Sequence, residues 1–157
     1  NGVRRIAIVN LYTGSGLTPM SLDHGEIISA VIVPPQPNGV GFGYHKSARR
    51  GGLEFAMAVM AARLRISADR KTCTDVRIAI GAVRERPVRM LAAERVLAGA
   101  ALNDANIAAA VAAALEELKP LPHHGFTKSY IVDNVRVYLR RALKSAAGDK
   151  SGGIDLA

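Results

Sequence analysis

Alternation of apolar and polar positions is clearest in the middle of the chain. From Thr74 to Val83 the side chains of Val76, Ile78, Ile80 and Ala82 fall on one face of an extended strand, because successive residues of a pleated backbone point to opposite sides. The stretch Glu54 to Ser67 repeats the pattern. Ala56, Ala58, Met60, Ala62, Leu64 and Ile66 share one face, and Phe55, Met57 and Val59 occupy the other before it turns cationic at Arg63 and Arg65. Its alanines are also good helix formers. Phe42 to Ala48 reads as another strand, and Asp69-Arg70-Lys71 as a turn, so three sequential strands predict an antiparallel meander.

The period then changes. Val88 to Leu97 reads as a helix closing at Gly99, with Pro87 presetting its entry. Asp104 to Leu118 follows Asn103, a residue suited to cap a helix, and carries Ile107, Val111, Leu115 and Leu118 on one stripe. Pro120 and Pro122 stop it. A last helix from about Thr127 to Ala147 sets Ile131, Val135, Leu139 and Ala142 on one side and Arg136, Arg140 and Lys144 on another. Before the meander, residues 3 to 12 and Glu26 to Val33 are β-branched enough for two strands, with turn chemistry at Thr13-Gly14-Ser15-Gly16. Pro34-Pro35-Gln36-Pro37-Asn38-Gly39 continues neither helix nor ladder and marks a linker. Strands followed by helices make an α+β fold, a three-stranded antiparallel sheet packed on a three-helix layer.

Composition narrows the chemistry. The chain has 157 residues, 49% hydrophobic, with 4% aromatics and no Trp, so its core must be built from Ala, Val, Ile and Leu. The lone Cys73 excludes an internal disulfide, and four histidines without ligand spacing argue against a metal site. No run reaches the ~18 apolar residues of a membrane span. A cytoplasmic location is the resulting expectation. Opening on Asn1-Gly2 without an initiator Met suggests a truncated or processed chain. The net charge of +8 raises the question of an acidic partner, and a nucleic-acid-binding module stays open as one class. The cations are nonetheless dispersed, and the last helix offers only Tyr130 and Tyr138 for stacking, which argues against nucleic acid. A cofactor-free structural or assembly domain is the other alternative.

No catalytic triad or paired carboxylates emerge, so no residue is assigned a catalytic role. Gly39-Val40-Gly41-Phe42-Gly43 lacks the spacing of a dinucleotide fingerprint and runs into a strand, which makes it a turn. Arg89 and Glu94 suit a structural ion pair, and the Arg136, Arg140, Lys144 stripe is either a solvated face or a dock for an acidic subunit. Tyr44 and Lys46 stand two apart on one strand face. By pattern alone such a lysine is solvated.

An ordered string of patches changes that weighting. Tyr44-His45-Lys46 is followed by Arg50 and Glu54-Phe55-Ala56, then Arg77-Ile78-Ala79-Ile80-Gly81-Ala82-Val83, then Arg86-Pro87-Val88-Arg89. Glu94-x-x-Leu97-x-Gly99 and a closing Tyr130 with Arg140-Arg141-Ala142-Leu143 complete it. In this order they resemble the C-terminal part of the FAD-binding (medium) flavoprotein subunit of molybdenum hydroxylases, the family of carbon monoxide dehydrogenase, xanthine dehydrogenase and 4-hydroxybenzoyl-CoA reductase. Glu54 stands where the family has Asp, Ile131 where Arg often follows the Tyr, and His123 where Asp is frequent before the last helix. Loss of that Asp removes a capping interaction.

The resemblance implies that residues 1–34 are the C-terminal end of a truncated FAD-binding domain, its terminal strands preceding a flavoprotein C-terminal domain at 39–147 and a flexible tail at 148–157. It implies an oxidoreductase subunit that is not catalytic alone. FAD would lie against Lys46 and its neighbour Tyr44, and against Ile27 and Ile28 after the Glu26 of the preceding strand. The molybdenum cofactor and the iron–sulfur clusters would sit in partner subunits, a large molybdopterin subunit and a small iron–sulfur subunit. The family's glycine-rich FAD-phosphate segments fall in the missing N-terminal portion, so this part by itself would not hold FAD tightly.

Overall fold

The computed structural model describes residues 2–51 and 53–148, and the tail expected at 148–157 lies outside them except for Gly148. The chain divides after Gln36 into two compact units.

In the first unit a four-residue helix α1 (Ile8–Leu11) leads to a bridge between Tyr12 and Met20. The strands expected within 3–12 and over Glu26 to Val33 do not form. A strand is stable only when a ladder partner takes its backbone hydrogen bonds and a core takes one face. Here Ile8, Val9, Val31, Ile32 and Val33 are all exposed. What fixes the segment is polar: the Arg4 guanidinium donates to both oxygens of Glu26, and the Asp23 N–H donates to Glu26 Oε2 at 2.7 Å.

In the second unit β1 (Val40–Ser47), β2 (Ala58–Ile66), β3 (Cys73–Gly81) and β4 (Val88–Arg89) form an antiparallel sheet in sequence order. Three helices follow: α2 (Leu91–Leu97), α3 (Asp104–Glu117) and α4 (Lys128–Ala146). The α+β class and the meander stand as expected, with a fourth strand added. Val88 and Arg89 extend along β3 opposite Ile80 and Ala79 instead of starting a helix. Two interactions hold them there. The Met90 N–H donates to the Ile78 carbonyl at 3.0 Å, and Glu94 Oε1 accepts the Ile78 N–H at 2.8 Å while both its oxygens take the Arg89 guanidinium. Glu94 is buried, so pairing with a cation and a backbone donor is what makes its charge tolerable there.

The core lies between sheet and helices. Met60, Leu64, Ile78 and Ile80 from the strands meet Leu97, Ile107, Ile131, Val135 and Leu139 from the helices. Three details depart from strict alternation. Ala82 has φ 65° and is exposed, so Val83 takes the inward place. Met57 precedes β2 and is buried, and Ile66 is only half-buried after a register shift at Arg65. Asn103 caps α3 by accepting the Asn106 N–H at 2.8 Å, and Thr127 caps α4 by accepting the Tyr130 N–H at 3.3 Å. The cap of α4 therefore does not depend on position 123.

Helix α4 lies directly on the edge strand β1. A Cβ built on Gly41 would stand 1.9 Å from the Ala146 carbonyl oxygen, and one on Gly43 would stand 1.8 Å from that of Ala142. Only glycine permits this approach. The glycines read as a turn thus serve packing within a strand, and Gly39 alone, with φ 77°, supplies turn geometry.

Gly43→Ala is expected to lower stability by about 3 kcal/mol in urea unfolding, since rigid backbone faces the added methyl. Gly51→Ala, where nothing lies within 4 Å, should change it by less than about 0.5 kcal/mol. Equal effects would contradict the close packing. In the first unit, Arg4 holds the Glu26 carboxyl down at about 2 from its ordinary 4.5. The pairing is then complete above the ordinary value and lost as pH falls through the window down to about 2. A carboxylate carbon titration by NMR should give Glu26 a midpoint near about 2, and a midpoint near 4.5 would show the pair absent.

Candidate functional site

Contact with α4 decides which way β1 faces. Gly41, Gly43, His45 and Ser47 turn toward the helices, leaving Phe42, Tyr44 and Lys46 on the outer face of the sheet. Phe42 is 58% and Tyr44 62% exposed, and Lys46 is exposed beside them.

Register carries these residues across the sheet. Tyr44 stands opposite Ala61, and Ala61 opposite Ala79; Lys46 stands opposite Val59, and Val59 opposite Gly81. A Cβ on Gly81 would stand 3.8 Å from Val59 Cβ and 4.0 Å from Pro87 Cγ, ordinary contact distances, so glycine leaves this corner low without being required there. The outcome is a floor of small side chains two strands wide, on β2 and β3, flanked on β1 by a phenol and an ammonium. Strands lie about 4.8 Å apart, so the floor together with its β1 flank spans about 10 Å, the scale of a fused planar ring system. Toward the other end the next rows are Phe42, Arg63, Arg77 and then Val40, Arg65, Asp75. Arg63 Nη1 donates to Asp75 Oδ2 at 2.6 Å and holds that carboxyl below the usual range, with Arg77 adding its own charge and hydrogen bond.

The end of β1 next to Lys46 is pinned from behind. Buried Ser47 donates its hydroxyl to Asn134 Oδ1 on α4 at 2.6 Å, and the Ser47 carbonyl accepts the Met57 N–H at 2.7 Å. The His123 ring spans two backbone carbonyls, that of Met57 at 2.9 Å and that of Leu121 at 2.8 Å. His45 packs on Tyr138 with ring centres 5.6 Å apart; burial pushes its ring down from the usual histidine value, and Arg141 adds to the effect.

Of the residues singled out from sequence, Tyr44 and Lys46 come together on one open face. Ile27 and Ile28 belong to the first unit, 85% and 49% exposed, and they follow a Glu26 fixed by Arg4 and not by a strand. Sequence reasoning gave Glu54 no role. Its Oε2 is buried without a hydrogen-bond partner, Arg50 Nε standing 3.7 Å away, on a cavity of about 90 Å³ lined also by Arg49, Phe55 and Phe126. The signal was its place just before β2, where a charge precedes the apolar run. Among the described residues no three His, Cys, Asp or Glu side chains gather as a metal site, and no helix is long and apolar enough to cross a membrane.

Residues 43–146 match the family model of the CO dehydrogenase flavoprotein C-terminal domain. The chain is 28% identical over 152 residues to the xanthine dehydrogenase FAD-binding subunit of Escherichia coli O157:H7, covering 96% of this chain and 51% of that one. It is 30% identical over 145 residues to the carbon monoxide dehydrogenase medium chain of Afipia carboxidovorans, covering 92% and 49%. Among solved structures it is similar to the Cu,Mo-CO dehydrogenase in its cyanide-inactivated form, with a TM-score of 0.79, 29% identity, and coverage of 92% and 49%. Quinoline 2-oxidoreductase from Pseudomonas putida 86 gives a TM-score of 0.79 at 26% identity, with coverage of 94% and 50%. The chain spans about half the length of the curated relatives it matches. With two thirds of its length in the family model and a meander-and-helix fold shared with the solved structures, the chain belongs to the CO dehydrogenase flavoprotein C-terminal domain family.

Proposed function

We propose that this chain is part of the FAD subunit of a molybdenum hydroxylase-type oxidoreductase and forms one wall of its flavin site. The observation that carries the reading is the level floor of Val59, Ala61, Ala79 and Gly81 beside Tyr44 and Lys46. A planar ring can lie on small side chains without displacing any, and the flanking groups suit its edges. When bound, FAD supplies the capacity to take electrons from a metal centre and pass them to an external acceptor.

The chain's own residues do the rest. The Lys46 ammonium favours negative charge gained beside it, and the Tyr44 ring screens that edge from water. Ser47, held by Asn134, fixes the end of β1 from which Lys46 projects. From the first unit, taken by itself, Ile27 and Ile28 are proposed as further apolar contacts to the flavin, on the strength of the resemblance and their exposure. The names of the relatives, a xanthine dehydrogenase FAD-binding subunit and a carbon monoxide dehydrogenase medium chain, support the cofactor. Subunits carrying iron–sulfur and molybdenum centres are the proposed partners, together with a polypeptide equivalent to the other half of those relatives.

Lys46→Ala in the flavin-loaded protein should lower the flavin potential by about 30 mV, the equivalent of about 1.4 kcal/mol for a two-electron couple. Stability should change by less than about 0.5 kcal/mol, because the side chain is exposed. An unchanged potential in a redox titration would remove Lys46 from this role.

A further inference from the structure

The half of the outer face away from Lys46 differs in character. Phe42, Arg63 and Arg77 form one row across β1, β2 and β3, and Arg65 and Asp75 lie in the next. Within these two rows of the described residues three guanidinium groups therefore stand with one carboxylate. Asp75 lies between two of them, accepting from Arg63 and from Arg77, and so holds both against the sheet. A guanidinium has five N–H donors, more than Asp75 and the Val76 carbonyl take from Arg77, which is half exposed. Arg65 is exposed beside it.

We infer that this half of the sheet is a docking surface for an acidic polypeptide. Its row of Phe42, Arg63 and Arg77 leaves no floor of small side chains for a planar ring, unlike the half beside Lys46. Nucleic acid needs rings to stack on, and β2 and β3 carry no aromatic residue; Phe42 and Tyr44 are both on the edge strand. A second copy of this chain brings a net charge of +8 against the same sign. Carboxylates on a partner answer the charge, and Phe42 supplies the exposed ring that, with arginine, typically anchors protein interfaces.

The cationic stripe on α4 is the weaker surface. Lys144 Nζ lies 2.8 Å and Arg140 Nη2 3.5 Å from the Asp104 carboxylate on α3, so two of its three charges are drawn into the chain's own fold. Arg136 faces Asp133 at 3.7 Å. The inference stands on charge and shape and does not need the flavin.

The test is a titration of the full chain, at low salt, with a fluorescein-labelled peptide of glutamates interrupted by leucine, read by anisotropy and by NMR amide shifts. Saturable binding is expected, with shifts centred on β1 to β3. The double substitution Arg65→Ser with Arg77→Ser, and separately Phe42→Ala, should weaken it about tenfold, and Arg136→Ser should leave it within about twofold. Circular dichroism checks that each variant is folded. The inference is overturned by absence of binding, by shifts centred on α4, by equal losses from Arg136→Ser, or by tighter saturable binding of a single-stranded oligonucleotide that the same outer-face substitutions abolish.

Discussion

The close seating of α4 on β1 is the constraint on which the second unit depends. Gly41 and Gly43 leave no side chain between strand and helix, and the carbonyls of Ala146 and Ala142 fill the space. With the inner face of β1 committed in this way, Phe42, Tyr44 and Lys46 have only the outer face to occupy. The same seating lets Ile131, Val135 and Leu139 of α4 reach Met60 and Leu64 on β2, so one contact both closes the core and orients the candidate site. A slip of one residue in β1 would bury Lys46 and Tyr44 and expose the glycines.

Polar clamps do the work where the apolar core is thin. Glu94 ties α2 to the upper edge of β3 through the Ile78 N–H and to β4 through Arg89, closing the end of the sheet where the strand is only two residues long. Asp104 caps the interface of α3 with α4 by meeting Arg140 and Lys144. Asp75 gathers Arg63 and Arg77 on the open side. The Asp75 and Asp104 pairs are partly solvated and each contributes modestly to stability, but they decide how much positive charge remains available at the surface.

The meander, the two long helices and the cap of α3 were legible because each rests on a local signal: period two over Thr74 to Gly81, period 3.6 over Asp104 to Glu117, and Asn103 at a cap. Val88 and Arg89 were not, since two residues show no period and their pairing depends on Glu94 and Ile78, distant in sequence. Ala82 defeated alternation by adopting a left-handed backbone at the strand exit. Composition favoured strands at residues 3–12 and 26–33, and propensity alone builds no ladder without a partner. At the candidate site, Tyr44 and Lys46 could be paired from their spacing, but the small-residue floor needed the register of three strands. Glu54 and the glycine contacts needed coordinates, because nothing nearby in sequence announces what lies across from them.

The most direct test of the account is the visible absorption spectrum of the assembly that this chain forms in its native host, purified intact through the chain. Flavin bands in stoichiometric amount with the chain are expected, accompanied by iron–sulfur absorption. A stoichiometric assembly without flavin would contradict the account, leaving the fold and the family in place and removing the electron-transfer role.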